Sequence, residues 1–472
     1  MAPLIYKEHF DKSSGINDMD VFGYVNHHSI QSGNPFKLFL STNKNKNLIN
    51  GVVEISRVGY YENSDRKIVY KSENISVLNQ KISISTMTTG AAWKPLNNDI
   101  STNDWKSGYY AIDFIKSDGK RIKDVAFIVV TDPQNKGDIL IKLSTNTYQA
   151  YNQWGGSNLY ESKIGPHADI ISFDRPTQSQ FYMWEYYYVI WIEQFAEKHN
   201  LEIDYATNYD FYETPDIANN YTLLMSLGHD EYWSQKEFDA YYNRIFKQGK
   251  NTIFLGANMA YWRVRYGDLH RSGEGRQLIC YKNSLSKDNF DPIIYTSQGA
   301  LKSTGLFRGE IGFPETMLMG VGYESYFLDQ DLRFTYKVRN IIPWIFEGTN
   351  LKQGDELADV IGYEWDNTLL IDLAMPVFSK KYTHIPKLEK ERLQILFDGD
   401  VINSKGEAGH AQAVYFETEA GAKVFSAGTM RWSWGVGKPG FINEQFQKIN
   451  ENLILGLTKK SGALSTSKSN NN

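Results

Sequence analysis

Between Phe36 and about Val130 the chain alternates apolar and polar residues in short runs. Examples are F-K-L-F-L-S (36–41), V-V-E-I-S-R-V (52–58), R-K-I-V-Y-K (66–71), K-I-S-I-S (81–85), Y-Y-A-I-D-F-I (109–115) and V-A-F-I-V-V (125–130). Gly51, Asn63-Ser64-Asp65 and Ser117-Asp118-Gly119 punctuate them. Such runs at regular spacing, without a helical period, predict a β-sandwich over residues 1–130. The texture changes after Thr131-Asp132-Pro133-Gln134-Asn135. Asp138 to Leu143, Leu201 to Ala206, Tyr221 to Leu227 and Asn251 to Gly256 read as strands. Helical patterns at Gln180 to His199 and Ser234 to Gln248 lie between them, the second opened by Ser234 with Glu237 in a capping box and stopped by Gly249. This alternation predicts an α/β domain over 131–460 with a mostly parallel sheet and helices on both faces. Residues 283–358 lack a clean period and read as a mixed insertion. The stretch around Glu364, a hairpin-like run from Gln412 to Ala427 and a helix from about Asn443 to Leu457 complete the domain. The polar tail, 461–472, is expected to be disordered.

Chemistry-bearing residues gather where predicted strands end. Tyr221 to Leu227 runs into Gly228-His229-Asp230-Glu231 and then a capped helix, the arrangement that carries sites at the edge of an open α/β sheet. An ordinary polar loop has the same letters. Thr147 to Tyr160, T-Y-Q-A-Y-N-Q-W-G-G-S-N-L-Y, follows the first strand of that sheet, so it faces the same edge; it reads equally as an aromatic plug. Phe254 to Arg265 places Asn258 after a third strand, with Arg263 and Arg265 as anion clamps or structural ion pairs. Glu364 lies between Tyr363 and Trp365, where desolvation raises a carboxyl pKa and suits proton transfer. A Lys or Arg partner would instead make it structural.

Composition narrows the options. The formal charge of −5 and pI near 6.0 over 472 residues, with Lys and Arg scattered, argue against nucleic acid or an anionic membrane as partner. The single cysteine, Cys280, rules out an intrachain disulfide and a thiolate zinc cluster. It lies outside any strand-to-helix elbow, and no Gly-x-Ser-x-Gly is present, so a nucleophile elbow is not expected. The first residues lack a signal-peptide core, and no apolar run is long enough to span a membrane, so a cytoplasmic protein is expected. The 31 tyrosines serve mainly as packing area, but they also offer hard phenolate oxygen.

Taken together, T-Y-Q-A-Y-N-Q-W-G-G-S-N-L-Y, S-F-D-R-P (172–176), G-H-D-E-Y-W-S, F-L-G-A-N-M-A-Y-W-R, G-Y-E-W-D and A-G-T-M-R-W-S-W-G (427–435) resemble the large, or beta, subunit of N,N-dimethylformamidase. V-E-I-S-R-V-G-Y-Y and W-K-S-G-Y-Y-A are similar to its preceding β-rich domain, and the order is kept from about residue 35 to 460. The resemblance implies an immunoglobulin-like β-sandwich beside a three-layer α/β domain related to class I glutamine amidotransferases. It implies hydrolysis of a small, linear amide at a mononuclear iron, Fe3+, held by two tyrosines and a glutamate. Carried over, these are Tyr110, with Tyr109 beside it, Tyr151, with Tyr148 nearby, and Glu231. On a strand Tyr109 and Tyr110 face opposite sides, so one of them at most reaches the site. His229, Asn258, Lys282 and Glu364 correspond to the polar lining: His229 or Glu364 moves a proton, and Asn258 or Lys282 steadies an oxyanion. Independently of the family, two phenolates and a carboxylate suit a hard cation. A metal there polarises the amide carbonyl and generates the attacking hydroxide. A small partner subunit or a homo-oligomer is a further implication. The chain is shorter than that large subunit, which leaves open another metal-assisted hydrolase of a peptide or N-acyl bond. A non-catalytic, aromatic-rich cleft for a carbohydrate or other surface ligand is the contrasting class.

Overall fold

The computed structural model describes residues 19–458 except 84, 163–166, 178, 270–272, 283–289, 328, 330–331 and 372–386. It is a mixed α/β structure with several sheets. The expected disordered tail lies outside the described residues, as does part of the 283–358 stretch. No described helix is long and apolar enough to cross a membrane.

In the first part of the chain, Ser29–Gln31, Arg121–Thr131, Gly108–Lys116, Leu48–Tyr61 and Ser64–Lys71 lie side by side, and Ile75–Leu78 also pairs with Leu48–Tyr61. Val21–Val25 and Leu38–Thr42 form a separate ribbon. Their inward residues, among them Val21, Leu38, Leu40, Val53, Ile55, Tyr110, Ile112, Phe114 and Ile128, make one buried cluster. Alternate residues on the opposite face, Val58, Tyr109, Ala111 and Val129, are buried as well, in the larger core that includes Phe181. One expected strand is absent. Lys81 to Ser83 is coil and Ser85 begins the short helix Thr86–Thr89; the side chain of Gln80 bonds the carbonyls of Leu40 and Lys94 instead of extending a ladder. Alternation without a neighbouring strand to pair with does not make a strand.

The larger sheet has eight strands in the order Ile203–Thr207, Ile139–Leu143, Leu223–Leu227, Asn251–Leu255, Lys423–Ser426, Ala408–Glu417, Gln394–Ile402 and Lys337–Val338. The first five are parallel and the rest antiparallel. The parallel strands are buried along nearly their whole length, as expected where both faces are covered. Ile139–Leu143 lies between the second and third strands of the series. The chain therefore leaves it on one side and Leu223–Leu227 on the other, which opens a crevice at their carboxyl ends.

Local signals explain the elements around that crevice. Ser234 caps the helix Gln235–Tyr242 by accepting from the Glu237 N–H, and the Glu237 carboxylate reaches back to the Ser234 N–H. Beyond Tyr242 the helix widens into a π-turn, Asn243–Lys247, and Gly249 leaves it at φ 66°. The stretch 180–199 is two helices, Phe181–Trp184 and Tyr186–His199, broken at Glu185, whose side chain turns inward.

Candidate active site

The Gly228-His229-Asp230-Glu231 turn leaves the central strand at the crevice. Gly228 takes φ 74°, which a side chain resists, and a Cβ there would lie 2.8 Å from the Glu185 carboxyl carbon. Asp230 points beneath the turn. It pairs with Lys142 at 2.6 Å and accepts from Asn208 at 2.9 Å and from Ser226. Lys142 also pairs with Glu237, and all three side chains are buried. His229 and Glu231 are thereby left on the upper side. The Glu231 carbonyl accepts from the Tyr261 and Trp262 N–H groups at 3.0 Å, and its own N–H donates to Thr147 Oγ1 at 3.1 Å.

Two phenols meet the Glu231 carboxylate. Tyr151 Oη donates to Oε2 at 2.9 Å and Tyr160 Oη to Oε1. Their rings are 4.8 Å apart. His229 Nε2 stands 3.3 Å from Glu231 Oε2 and 3.1 Å from Glu364 Oε2. Both His229 Nε2 and Glu364 Oε2 are buried, and they face one another as an ion pair. Glu364 is carried by Tyr363–Asn367, paired with Gly322–Phe327. Tyr363, at φ 51°, Asn258 at 54° and Ala260 at 49° hold conformations that side chains rarely adopt. Such outliers clustered around one crevice point to a site that its surroundings over-determine. Tyr151 and Tyr160 are partly exposed while Glu231 is buried, so the approach is over the phenols.

The electrostatics follow from burial. Desolvation, reinforced by Glu231, holds both Tyr151 and Tyr160 well above the usual phenol range, so each keeps its proton as a donor. Burial also raises the Glu231 carboxyl. It opposes a charged His229, but Glu364 and then Glu231 outweigh it and the imidazole pKa rises. Burial pushes the Lys282 ammonium down to about 7.

Two of the expected residues, Tyr110 and Lys282, make other contacts than foreseen. Tyr110 is not brought to Glu231: it packs in the β-rich core, stacked on Trp105 at 4.7 Å, and its hydroxyl donates to the Lys106 carbonyl at 2.6 Å. Tyr109 faces the other way, stacked on Phe181 at 4.0 Å, so neither of the pair joins the group. Lys282 Nζ sits over the Tyr160 ring, 2.9 Å from its centre, and donates to Tyr232 Oη at 2.6 Å, which aims it at the aromatic wall. The backbone N–H of Asn258 donates to Asp366 at 2.9 Å, and its Oδ1 is buried without a partner. Tyr160 and Tyr232 were missed. Tyr160 ends the very stretch that contains Tyr151, and the Gly155-Gly156 turn between them was the available signal.

Among the described residues no three His, Cys, Asp or Glu side chains gather as a metal-holding set. Adding the phenols changes that picture. Tyr151, Tyr160 and Glu231 form a compact set of hard oxygen atoms, flanked by the buried His229–Glu364 pair. This donor chemistry fits a hard, highly charged cation such as ferric iron, which would take the place of the phenol protons.

Fold and site together define an α/β protein with a buried tyrosine–glutamate–histidine constellation at the switch point of its sheet. The chain belongs to the N,N-dimethylformamidase beta subunit-like family, whose C-terminal model matches residues 52–446. No curated protein matches it. Among solved structures, a Paenibacillus sp. cycloisomaltooligosaccharide glucanotransferase complexed with cycloisomaltoheptaose is similar at 7% identity, over 56% of this chain and 34% of that one, with a TM-score of 0.17. The chain thus spans about a third of that protein's length, and a likeness so weak carries no argument.

Proposed function

We propose that this protein hydrolyses a linear amide C–N bond at an iron centre held by Tyr151, Tyr160 and Glu231, with Tyr160 in the place first assigned to Tyr110. The observation that carries this reading is the meeting of two phenol hydroxyls on one carboxylate, beside the buried His229–Glu364 pair. A ferric ion held there supplies Lewis-acid polarisation of an amide carbonyl. The chain's own groups do the rest. A water adds its hydroxyl to the carbonyl carbon and passes its proton to Glu364. His229, whose pKa Glu364 and Glu231 raise, gives a proton to the departing amine as the C–N bond breaks and is reprotonated from Glu364, a contribution of about 10²–10⁴-fold. The side-chain amide of Asn258 is the candidate oxyanion donor. Lys282 supports the phenol wall.

In this reading residues 1–130 are an immunoglobulin-like sandwich, and residues 131–460 are an amidotransferase-like catalytic domain with an insertion at about 283–358. A cytoplasmic enzyme with a small partner subunit, or assembled with copies of itself, completes the proposal. The test is direct. Purified protein should be coloured, since phenolate bound to ferric iron absorbs visible light. It should carry about one iron per chain, and release amine from formamides, small acyl amides or N-acyl amino acids. A colourless preparation whose spectrum ignores added iron would replace the hydrolase by a non-catalytic binding protein.

A further inference from the structure

The Ser172-Phe173-Asp174-Arg175-Pro176 stretch has no part in the chemistry above, yet it contains a side chain that needs explaining. Arg175 is fully buried. Its Nε donates to Gln149 Oε1 and the Ser172 carbonyl, each at 3.2 Å, its Nη1 to the carbonyls of Trp154 at 2.7 Å and Ser157 at 3.0 Å, and its Nη2 to the Gln149 carbonyl at 3.3 Å. All these acceptors are neutral. A guanidinium taken out of water and offset by carbonyl dipoles alone is costly, and burial lowers its pKa to about 9, which leaves it charged at neutrality. Lys142, another deeply buried cation near the site, pairs with two carboxylates.

Apart from that of Ser172, the carbonyls that Arg175 gathers belong to one stretch, 149–157. The Leu159 N–H donates to the Ala150 carbonyl at 3.0 Å and closes the segment between them. Tyr151 stands just inside that closure and Tyr160 just outside it. Trp154 and Ser157 bracket Gly155 and Gly156, which turn at φ 88° and 96°. Both bracketing carbonyls end on the same guanidinium nitrogen. Asn158 adds a tie from within, donating to the Tyr151 carbonyl at 3.2 Å and accepting from the Tyr160 N–H at 2.7 Å.

We propose that Arg175 is the positioning residue of the phenol pair: its guanidinium draws the carbonyls of Gln149, Trp154 and Ser157 together and so sets where Tyr151 and Tyr160 meet Glu231. This rests on the reading of those phenols as metal-holding groups. Outer groups of this kind govern metal affinity by orienting the groups in contact with the ion.

The test uses Arg175→Met and Arg175→Lys in the full chain, followed by amide hydrogen exchange and by ferric iron titration read from the visible phenolate band. Arg175→Met should exchange faster across 150–160 while the strands at 139–143 and 223–227 keep their protection. Its iron affinity should fall about 10- to 100-fold, with weaker absorption per bound iron because one phenol is out of reach. Arg175→Lys, which keeps the charge but not the fork, should recover part of both. Exchange across 150–160 like that of the unaltered protein overturns the proposal, as does a loosened loop with unchanged affinity and band. Should Arg175→Met not fold, Arg175→Lys decides by the same readouts. If the unaltered protein takes up no iron, the metal-holding reading fails, and the exchange measurement alone decides the role of Arg175.

Discussion

Two buried glutamates, Glu185 and Glu231, each receive a tyrosine hydroxyl from one short stretch of chain. Tyr148 donates to Glu185 at 2.6 Å and Tyr151, three residues on, to Glu231 at 2.9 Å. Everything else around the two differs. Glu185 has the Ser144 N–H at 3.3 Å as its other partner, its second oxygen is unbonded, and its side chain props the back of Gly228. Glu231 has a second phenol, a histidine and a second glutamate within reach, and it opens toward solvent through partly exposed rings. One carboxyl is stripped of water by burial and holds its proton up to about 8. The other belongs to a cluster of ionisable groups that compete for the same protons, the condition under which acid–base and metal chemistry become available.

Replacing the two glutamates tests that contrast most severely. Glu231→Gln should lose bound iron and reduce amine release by about 10³-fold or more, whereas Glu185→Gln should keep both. Metal analysis and amine assays on the two proteins check it; an iron-loaded, active Glu231→Gln protein would dissolve the distinction. The tyrosines sharpen it. Tyr160→Phe should weaken iron binding by at least about tenfold. Tyr110→Phe should leave iron binding alone and cost only about 1 kcal/mol for its lost hydrogen bond. The opposite ranking in an iron titration would return the role to Tyr110.

Much of this architecture could be read from the sequence where the causes are local. The capping box at Ser234 and Glu237 needs four consecutive residues, and the strand before Gly228 needs only an apolar run ending at a glycine. The choice between Tyr110 and Tyr160 was not legible in this way. It depends on Leu159 closing onto Ala150 and on Arg175 holding the glycine turn, contacts between residues that no periodicity links. The direction of Lys282 was hidden for the same reason. The resemblance placed Lys282 along the crevice, but the aromatic wall of Tyr160 and Tyr232 decides where its amine points. The break at Glu185 was invisible because the flanking residues keep the apolar pattern of a single helix.

The support beneath the two glutamates gives an intermediate effect. Lys142→Met strands Asp230 and Glu237 without their cation, and breaking a buried pair costs about 3–5 kcal/mol. Thermal unfolding should show a lower Tm, and denaturant unfolding a loss of stability of that size. Loss of iron should follow only so far as the turn bearing His229 and Glu231 relaxes. A variant as stable as the parent would mean that Asn208 and Ser226 suffice to hold Asp230.

A further effect lies in pH dependence and belongs to Glu185. Burial raises its pKa from 4.5 to about 8, while the hydrogen bonds from Tyr148 and Ser144 pull the other way. The folded protein therefore keeps a proton that the unfolded chain releases above about 4.5. The resulting stabilisation is complete below that value, shrinks as the pH rises and is gone beyond about 8. Asp366, raised to about 8, Glu237, to about 7, and Asp204, to about 6, shift the same way, mainly through burial. The protein as a whole should thus melt at a lower temperature near pH 9 than near pH 6. Glutamine at position 185 copies the protonated carboxyl at every pH. It still accepts from Tyr148, so Glu185→Gln should flatten part of the decline, by an amount on the order of 2 kcal/mol. Parallel Tm-against-pH curves for the two proteins would mean that Glu185 is ionised in the folded state, and its contrast with Glu231 would then rest on neighbours alone.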